Sequence, residues 1–151
     1  MRMPQRRCRT AVITFYENAP IRGRFHFRGI CYTPRMSNLA SQKCVPCEGG
    51  TPPLETARAE VMKKQINPAW RIIPATASSA MQLRCEFYFK DFIQTMKFVN
   101  KVADIAESEG HHPDLFVSYD RVTVDLWTHA VMGLSENDFI LAAKIDGLPR
   151  Q

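Results

Sequence analysis

From Thr51 onward the apolar positions of this chain fall into segments whose spacing alternates between that of a helix and that of a strand. Leu54, Ala57, Val61, Met62 and Ile66 recur at helical spacing. Thr51 is a suitable N-cap and Pro52 suits a first turn. Asn67-Pro68 stops this helix, because the residue before a proline is pushed out of the α region. A short strand is expected over 70–73, then a loop of small residues over 74–80. Over 82–89 the pattern alternates, with Leu83, Cys85, Phe87 and Phe89 on one side and Arg84, Glu86 and Tyr88 on the other. That is a strand with one buried face. Asp91 opens the longest helix, which is expected to reach Glu109 and to stop at Gly110, a residue suited to the left-handed position past a helix end.

In that helix Phe92, Ile93, Met96, Phe98, Val99, Val102, Ala103, Ile105 and Ala106 cover roughly two thirds of the circumference, far more than the roughly 100° stripe of a helix with one buried face. One side is expected on the sheet, and the rest predicts another subunit. Segments 116–119 and 121–129 read as two further strands with a turn near Asp120. In the second, Val122, Val124 and Leu126 form one face, and Arg121, Thr123, Asp125, Trp127 and His129 the other. Ser135 caps a last helix over 136–145, with Asp138 at the capping-box position. The order α-β-β-α-β-β-α with short strand connections predicts an α+β fold. It comprises a four-stranded antiparallel sheet with three helices packed on one face.

Charge separates the chain into two parts. Residues 1–35 hold eight Arg and a single acid, Glu17, for a net charge of +7, whereas residues 36–151 carry −2. The basic balance thus belongs to the leader, which argues against a domain that grips nucleic acid through phosphates. An Arg-rich, acid-poor leader without a central apolar block reads as an organellar targeting segment, mitochondrial or plastid. Without such a role for it the protein is expected in the cytoplasm, with Met36 an alternative start. The expected division is a disordered or targeting leader over 1–43, cleaved or unstructured over 1–35, and a domain over 44–151. No apolar run of about 18 residues predicts a membrane span. Five cysteines, an odd number with two in the leader, do not form a disulfide framework.

The chemistry concentrates on histidine. Of the four in the chain, His26 lies in the leader, His111 and His112 directly follow the long helix, and His129 ends the last predicted strand. A hairpin turning near Asp120 brings its two ends, and with them these histidines, together. Gly-His-His-Pro is irregular backbone at an element junction, where functional sites gather. Three histidines also suit zinc with an open position, but there is no His-x-x-x-His pair and no obvious carboxylate ligand. Cys44-Val-Pro-Cys47 lacks the second pair of a zinc ribbon and the following helix of a redox motif, so a structural or incidental role is expected. Trp70 and Trp127 read as packing residues, with Trp127 also able to border a stacked ring.

These residues carry a resemblance. Glu107-Ser-Glu-Gly-His111-His112-Pro113-Asp114, then 119–129 ending in Trp-Thr128-His129, then Gly133-Leu-Ser135-Glu-Asn-Asp138, is similar to the pterin-4a-carbinolamine dehydratases. Phe87-Tyr-Phe-Lys-Asp-Phe92 matches too, as does Cys44-Val-Pro-Cys47-Glu-Gly-Gly-Thr-Pro-Pro-Leu54 in the bacterial and plant branches. Leu115 departs from the aromatic common in animal forms. The resemblance implies a 4a-hydroxytetrahydropterin substrate, dehydrated to a quinonoid dihydropterin and water in tetrahydrobiopterin or related pterin recycling. It implies no metal and no cofactor. On this pattern His111 and His129 are the acid and base, His112 holds the pterin, Glu107 orients the site, and Asp138 sits beside His129 and tunes it. Imidazole suits both roles near neutral pH. The resemblance also implies a homodimer or homotetramer assembled through helices. An interaction role is the alternative, since animal members act as dimerisation cofactors for a homeodomain transcription factor.

Overall fold

The computed structural model describes residues 38–46, 51–75 and 80–149. The leader over 1–35, His26 and Cys47 lie outside the described residues. The described elements are helix α1 (Thr56–Lys63), strands β1 (Arg71–Pro74) and β2 (Met81–Tyr88), helix α2 (Phe92–Glu109), strands β3 (Asp114–Ser118) and β4 (Arg121–Leu126), and helix α3 (Glu136–Asp146). Short 3-10 helices occupy Asn38–Ser41 and His129–Val131. The strands form one antiparallel sheet in the order β1-β2-β4-β3, the expected α+β fold.

The alternation read from the sequence decides which sheet face is covered. Leu83, Cys85 and Phe87 on β2 and Val122, Val124 and Leu126 on β4 are buried among Phe98, Val102, Phe139, Leu141 and Ile145 from the helices. The opposite face carries Arg84, Glu86, Tyr88 and Thr123. Asp125 lies on this polar face but is buried, because Arg84 covers it with two hydrogen bonds of 2.6 and 2.5 Å. Helix α3 is buried on nearly every side, since α1, α2 and the Asn38–Ser41 helix pack around it and its apolar side chains share one core with those of β2 and β4. Each fully buried Phe, Leu or Ile contributes about 1.5–3 kcal/mol, so the position of α3 is fixed by the core. The site below hangs from its first turn.

Helix α2 runs between the predicted signals. The Asp91 carboxylate accepts from the Gln94 N–H at 2.8 Å, and Gly110 takes the left-handed conformation at φ 62°. Its buried face is Thr95, Phe98, Val102 and Ala106, with Val99 and Ile105 partly buried, while Phe92 and Ile93 remain exposed. The two sides expected of its wide apolar surface are thus present, one of them open.

Among the boundaries that differ from the sequence reading, two bear on the site. Helix α1 starts at Thr56, with Glu55 and not Thr51 at its N-cap. The Leu54 N–H is used by the Leu134 carbonyl (2.8 Å), which keeps Leu54 extended. Ala59, Met62 and Ile66 form its buried side, and Val61, 100° from Met62 around the helix, is turned outward. Strand β4 ends at Leu126, three residues before His129. There Thr128 pairs with Gly133 through bonds of 2.8 and 3.3 Å, closing a tight loop in which Met132 is left-handed. A Cβ on Gly133 would lie 2.7 Å from the Pro53 side chain, so this loop and the 51–54 segment pack only because residue 133 has none. Ahead of Cys44, the Asn38–Ser41 helix packs on α3 and buries Leu39 in the core. Among the described residues no helix is long and apolar enough to cross a membrane.

Candidate active site

Helix α2 ends in a motif that aims the histidines. The His111 N–H bonds the Ala106 carbonyl (3.1 Å) and the Gly110 N–H bonds Glu107 (3.3 Å), which satisfies carbonyls the helix would leave open. The chain then leaves in extended form through His112 and Pro113 into β3. His111 turns inward and is buried, whereas His112 stays on the surface.

His111 Nε2 lies 2.8 Å from Asp138 Oδ1. Asp138 is completely buried in the first turn of α3, and its other oxygen accepts from the Ser135 N–H (2.7 Å), the Ser135 hydroxyl (3.3 Å) and the Thr128 hydroxyl (3.0 Å). Thr128 and Ser135 are themselves 2.7 Å apart, hydroxyl to hydroxyl. A buried carboxylate is tolerated only when its oxygens are satisfied, and here one side does so by capping α3 and the other by holding an imidazole. The capping box expected of Ser135 and Asp138 is present. Asp138, expected beside His129, has His111 as its imidazole partner. The link to His129 runs through Thr128, its neighbour in sequence, whose hydroxyl shares the carboxylate with His111.

His129 opens the 3-10 turn on the exposed side, and its ring meets the edge of Trp127 with centroids 4.0 Å apart. Trp127 is held in turn by a hydrogen bond from its indole N–H to Asp114 (3.1 Å), so both ends of the β3–β4 hairpin contribute. His112 Nε2 lies 3.0 Å from Glu107 Oε2, and both side chains are largely exposed. Such a pair in water contributes little stability, but it orients the His112 ring. All five expected residues, Glu107, His111, His112, His129 and Asp138, therefore lie around the α2 end, the hairpin ends and the α3 start. Thr128 and Asp114 had no role in the sequence reading, and Ser135 only that of a helix cap. Thr128 carried a signal: it continues the inward alternation of Val124 and Leu126, and a polar group facing inward needs a partner.

Two of the concave regions among the described residues lie nearby, and neither is lined by these histidines. One, of about 300 Å³, lies between Pro53, Leu54, Ala59, Ile72, Met81 and the 132–134 loop. The other, of about 370 Å³, lies between Val45, Pro46, the 51–54 segment and residues 135–137. Both border the loop that follows His129. The buried imidazole–carboxylate pair is the stronger mark of chemistry, because acid–base work needs oriented titratable groups before it needs depth.

Cys44 behaves as a structural residue. Burial, reinforced by the negative charge of Glu109, pushes its thiol up to about 12. The Glu109 carboxyl is held below the usual range by the Cys44 N–H and by Lys144. Because only the thiolate reacts, and a free thiol titrates near about 8.5, Cys44 at pH 8 holds roughly 10³-fold less thiolate than a free cysteine. Iodoacetamide at pH 8 is expected to leave Cys44 largely unmodified in the folded protein. Site-resolved mass spectrometry checks this, and rapid alkylation would contradict it. Among the described residues no group of three His, Cys, Asp or Glu side chains is arranged to hold a metal ion.

Fold and site together define a small α+β domain with one imidazole, His111, anchored on a buried carboxylate. The chain belongs to the pterin-4a-carbinolamine dehydratases: residues 52–148 match the family described as Pterin 4 alpha carbinolamine dehydratase. A Nitrosomonas europaea protein is 48% identical over 111 residues, covering 74% of this chain and 93% of that one. A Rickettsia bellii protein is 43% identical over 109 residues, covering 72% and 92%. Both carry provisional pterin-4-alpha-carbinolamine dehydratase names. A crystal structure of a transcriptional coactivator/pterin dehydratase from Brucella melitensis matches with a TM-score of 0.55 at 29% identity, covering 62% of this chain and 94% of that chain.

Proposed function

We propose that this chain dehydrates a 4a-hydroxytetrahydropterin to the quinonoid dihydropterin and water, with His111 and His129 moving the protons. The observation that carries the reading is the buried His111–Asp138 pair at 2.8 Å, whose carboxylate also holds Thr128, the residue directly before His129. In the reaction the bond from carbon 4a to its hydroxyl breaks as that oxygen takes a proton and leaves as water. The adjoining ring nitrogen gives up its proton as the new double bond forms. One proton is delivered and one removed, so two imidazoles in opposite protonation states complete the step without a net proton change. An imidazole titrating near about 6.5 can fill either role at neutral pH. The Asp138 carboxylate fixes the His111 ring, which lowers the cost of orienting it. Thr128 and Ser135 fix Asp138.

Stopped-flow measurement of carbinolamine decay, with and without purified protein, tests the activity; identical decay in both would end the proposal. In this reading His112, exposed and turned toward Glu107, holds the pterin and takes no proton. His112→Ala is expected to raise KM several-fold with kcat nearly unchanged, the pattern of binding lost equally from ground and transition states. A fall in kcat at constant KM would move His112 into the proton-transfer group.

The reading includes a homo-oligomer. Phe92 and Ile93 on α2 are 45% and 62% exposed, and Phe92 stacks on the exposed Tyr119 with ring centroids 6.5 Å apart. A contiguous apolar patch of this kind marks an interaction surface. Light scattering is expected to give a dimer or tetramer at micromolar concentration and a smaller species for Ile93→Glu. A monomeric wild-type protein would leave the patch for another partner, the role named in the Brucella protein's coactivator description.

A further inference from the structure

The chain ahead of α1 makes contacts that the reaction as described does not use. Lys144 Nζ on α3 donates to the Ala40 carbonyl (3.2 Å) and pairs with Glu109 (3.1 Å). Glu109, the last residue of α2, accepts the Cys44 N–H at 2.9 Å. Asn137 bonds Val45 in both directions: its Oδ1 accepts the Val45 N–H (3.1 Å) and its Nδ2 donates to the Val45 carbonyl (2.7 Å). The Asn137 residue is 4% exposed, and Leu39 at the other end of the segment is buried to the same degree. These anchors share a placement. Glu109 stands two residues before His111, and Asn137 stands one residue before Asp138.

We propose that segment 38–46 is a positioning strap for the His111–Asp138 pair, holding the last turn of α2 and the first turn of α3 at the separation where imidazole and carboxylate meet. The inference rests on the reading of His111 as a proton-transfer group. The pair joins the ends of two different helices, and helix ends are where backbone hydrogen bonds run out and fraying begins. A hydrogen bond weakens over a few tenths of an ångström, and a misplacement of about 1 Å can cost about 10²-fold in rate. The strap bridges the two ends from outside through main-chain groups, so it holds position without contributing a reacting atom. The exposed Val45 side chain, 66% accessible, takes no part. The work is done by its N–H and carbonyl. The Lys144–Glu109 ion pair to which the strap is anchored has side chains only 17% and 6% exposed, so salt screens it weakly.

Three variants of the full chain separate positioning from folding. Asn137→Ala removes both bonds to Val45. Val45→Pro removes the N–H from the strap side and leaves α3 untouched, whereas Val45→Ala keeps both backbone groups. Asn137→Ala and Val45→Pro are each expected to lower kcat about 10-fold, with KM within about 2-fold of wild type. Val45→Ala is expected at wild-type values. The ring-nitrogen NMR signals of His111 should move in the first two variants and stay in the third, while circular dichroism shows all three folded. Folded Asn137→Ala and Val45→Pro proteins with wild-type kcat and unmoved His111 signals would overturn the strap. His111→Ala with wild-type turnover would instead remove the proton-transfer reading, and the His111 ring signals would then decide the strap by themselves.

Discussion

Replacing His111 and His129 together by alanine is expected to remove nearly all turnover, about 10³-fold or more, while each single variant keeps part of it. A positioned general acid or base supplies about 10²–10⁴-fold, and the two imidazoles here are held differently. His111 is buried and clamped at 2.8 Å by Asp138. His129 is exposed and makes no side-chain hydrogen bond among the described residues, only the ring contact with Trp127. A clamped group and a free one can divide delivery and removal of a proton between them, and water can stand in for one but poorly for both. Binding should survive better than turnover, because His112, Glu107 and the Trp127 ring remain. His111→Ala also takes a hydrogen-bond donor from Asp138, so His111→Gln is the control: it can keep a donor near the carboxylate but cannot titrate. Stopped-flow rates, with circular dichroism to establish folding, decide the matter. A folded double variant at wild-type turnover would refute the assignment of both residues.

The sequence made the local parts of this architecture legible and the long-range parts obscure. Asp91 and Gly110 mark the ends of α2 because caps act within one turn, and both stand where their chemistry requires. The faces of β2 and β4 follow from a period of two, and Val122, Val124 and Leu126 are accordingly buried. The start of α1 was not legible, because a bond from Leu54 to Leu134, eighty residues away, holds the chain extended past both prolines. The end of β4 was hidden for the same kind of reason, a bridge between Thr128 and Gly133. The histidines stand out by residue type and spacing, whereas Glu107 is marked only by the family resemblance. The partner of Asp138 does not, since it depends on how the α2 end meets the α3 start, and the chosen imidazole is His111. Asn137 and Glu109, to which segment 38–46 is bonded, carry no sequence signal of that contact beyond their places beside Asp138 and Gly110.

Asp138→Ala is expected to cost about 3–5 kcal/mol of stability and to lower Tm by roughly 15 °C, the largest loss of any single substitution in the site. The carboxylate is fully buried and serves four donors: His111, Thr128 and both the N–H and hydroxyl of Ser135. Loss of a helix N-terminal partner alone costs about 0.5–2 kcal/mol. Each buried donor left unsatisfied adds about 1–3 kcal/mol. Thr128 and Ser135 can turn toward each other across their 2.7 Å separation, which recovers one bond and keeps the total below the full sum. The Ser135 N–H and the His111 ring have no such substitute among the described residues. Asp138→Asn separates the two jobs of this side chain. Its amide oxygen can still accept from Ser135 and cap α3, so most of the stability should return. Its amide nitrogen offers His111 a donor in place of an acceptor, which favours the other ring tautomer and disturbs the orientation of the ring. Turnover should therefore stay low, by about 10²-fold, in a protein that melts near wild type. Thermal unfolding and stopped-flow rates measured on the same samples test both halves. A stable Asp138→Asn protein with wild-type kcat would show that the carboxylate serves the fold alone.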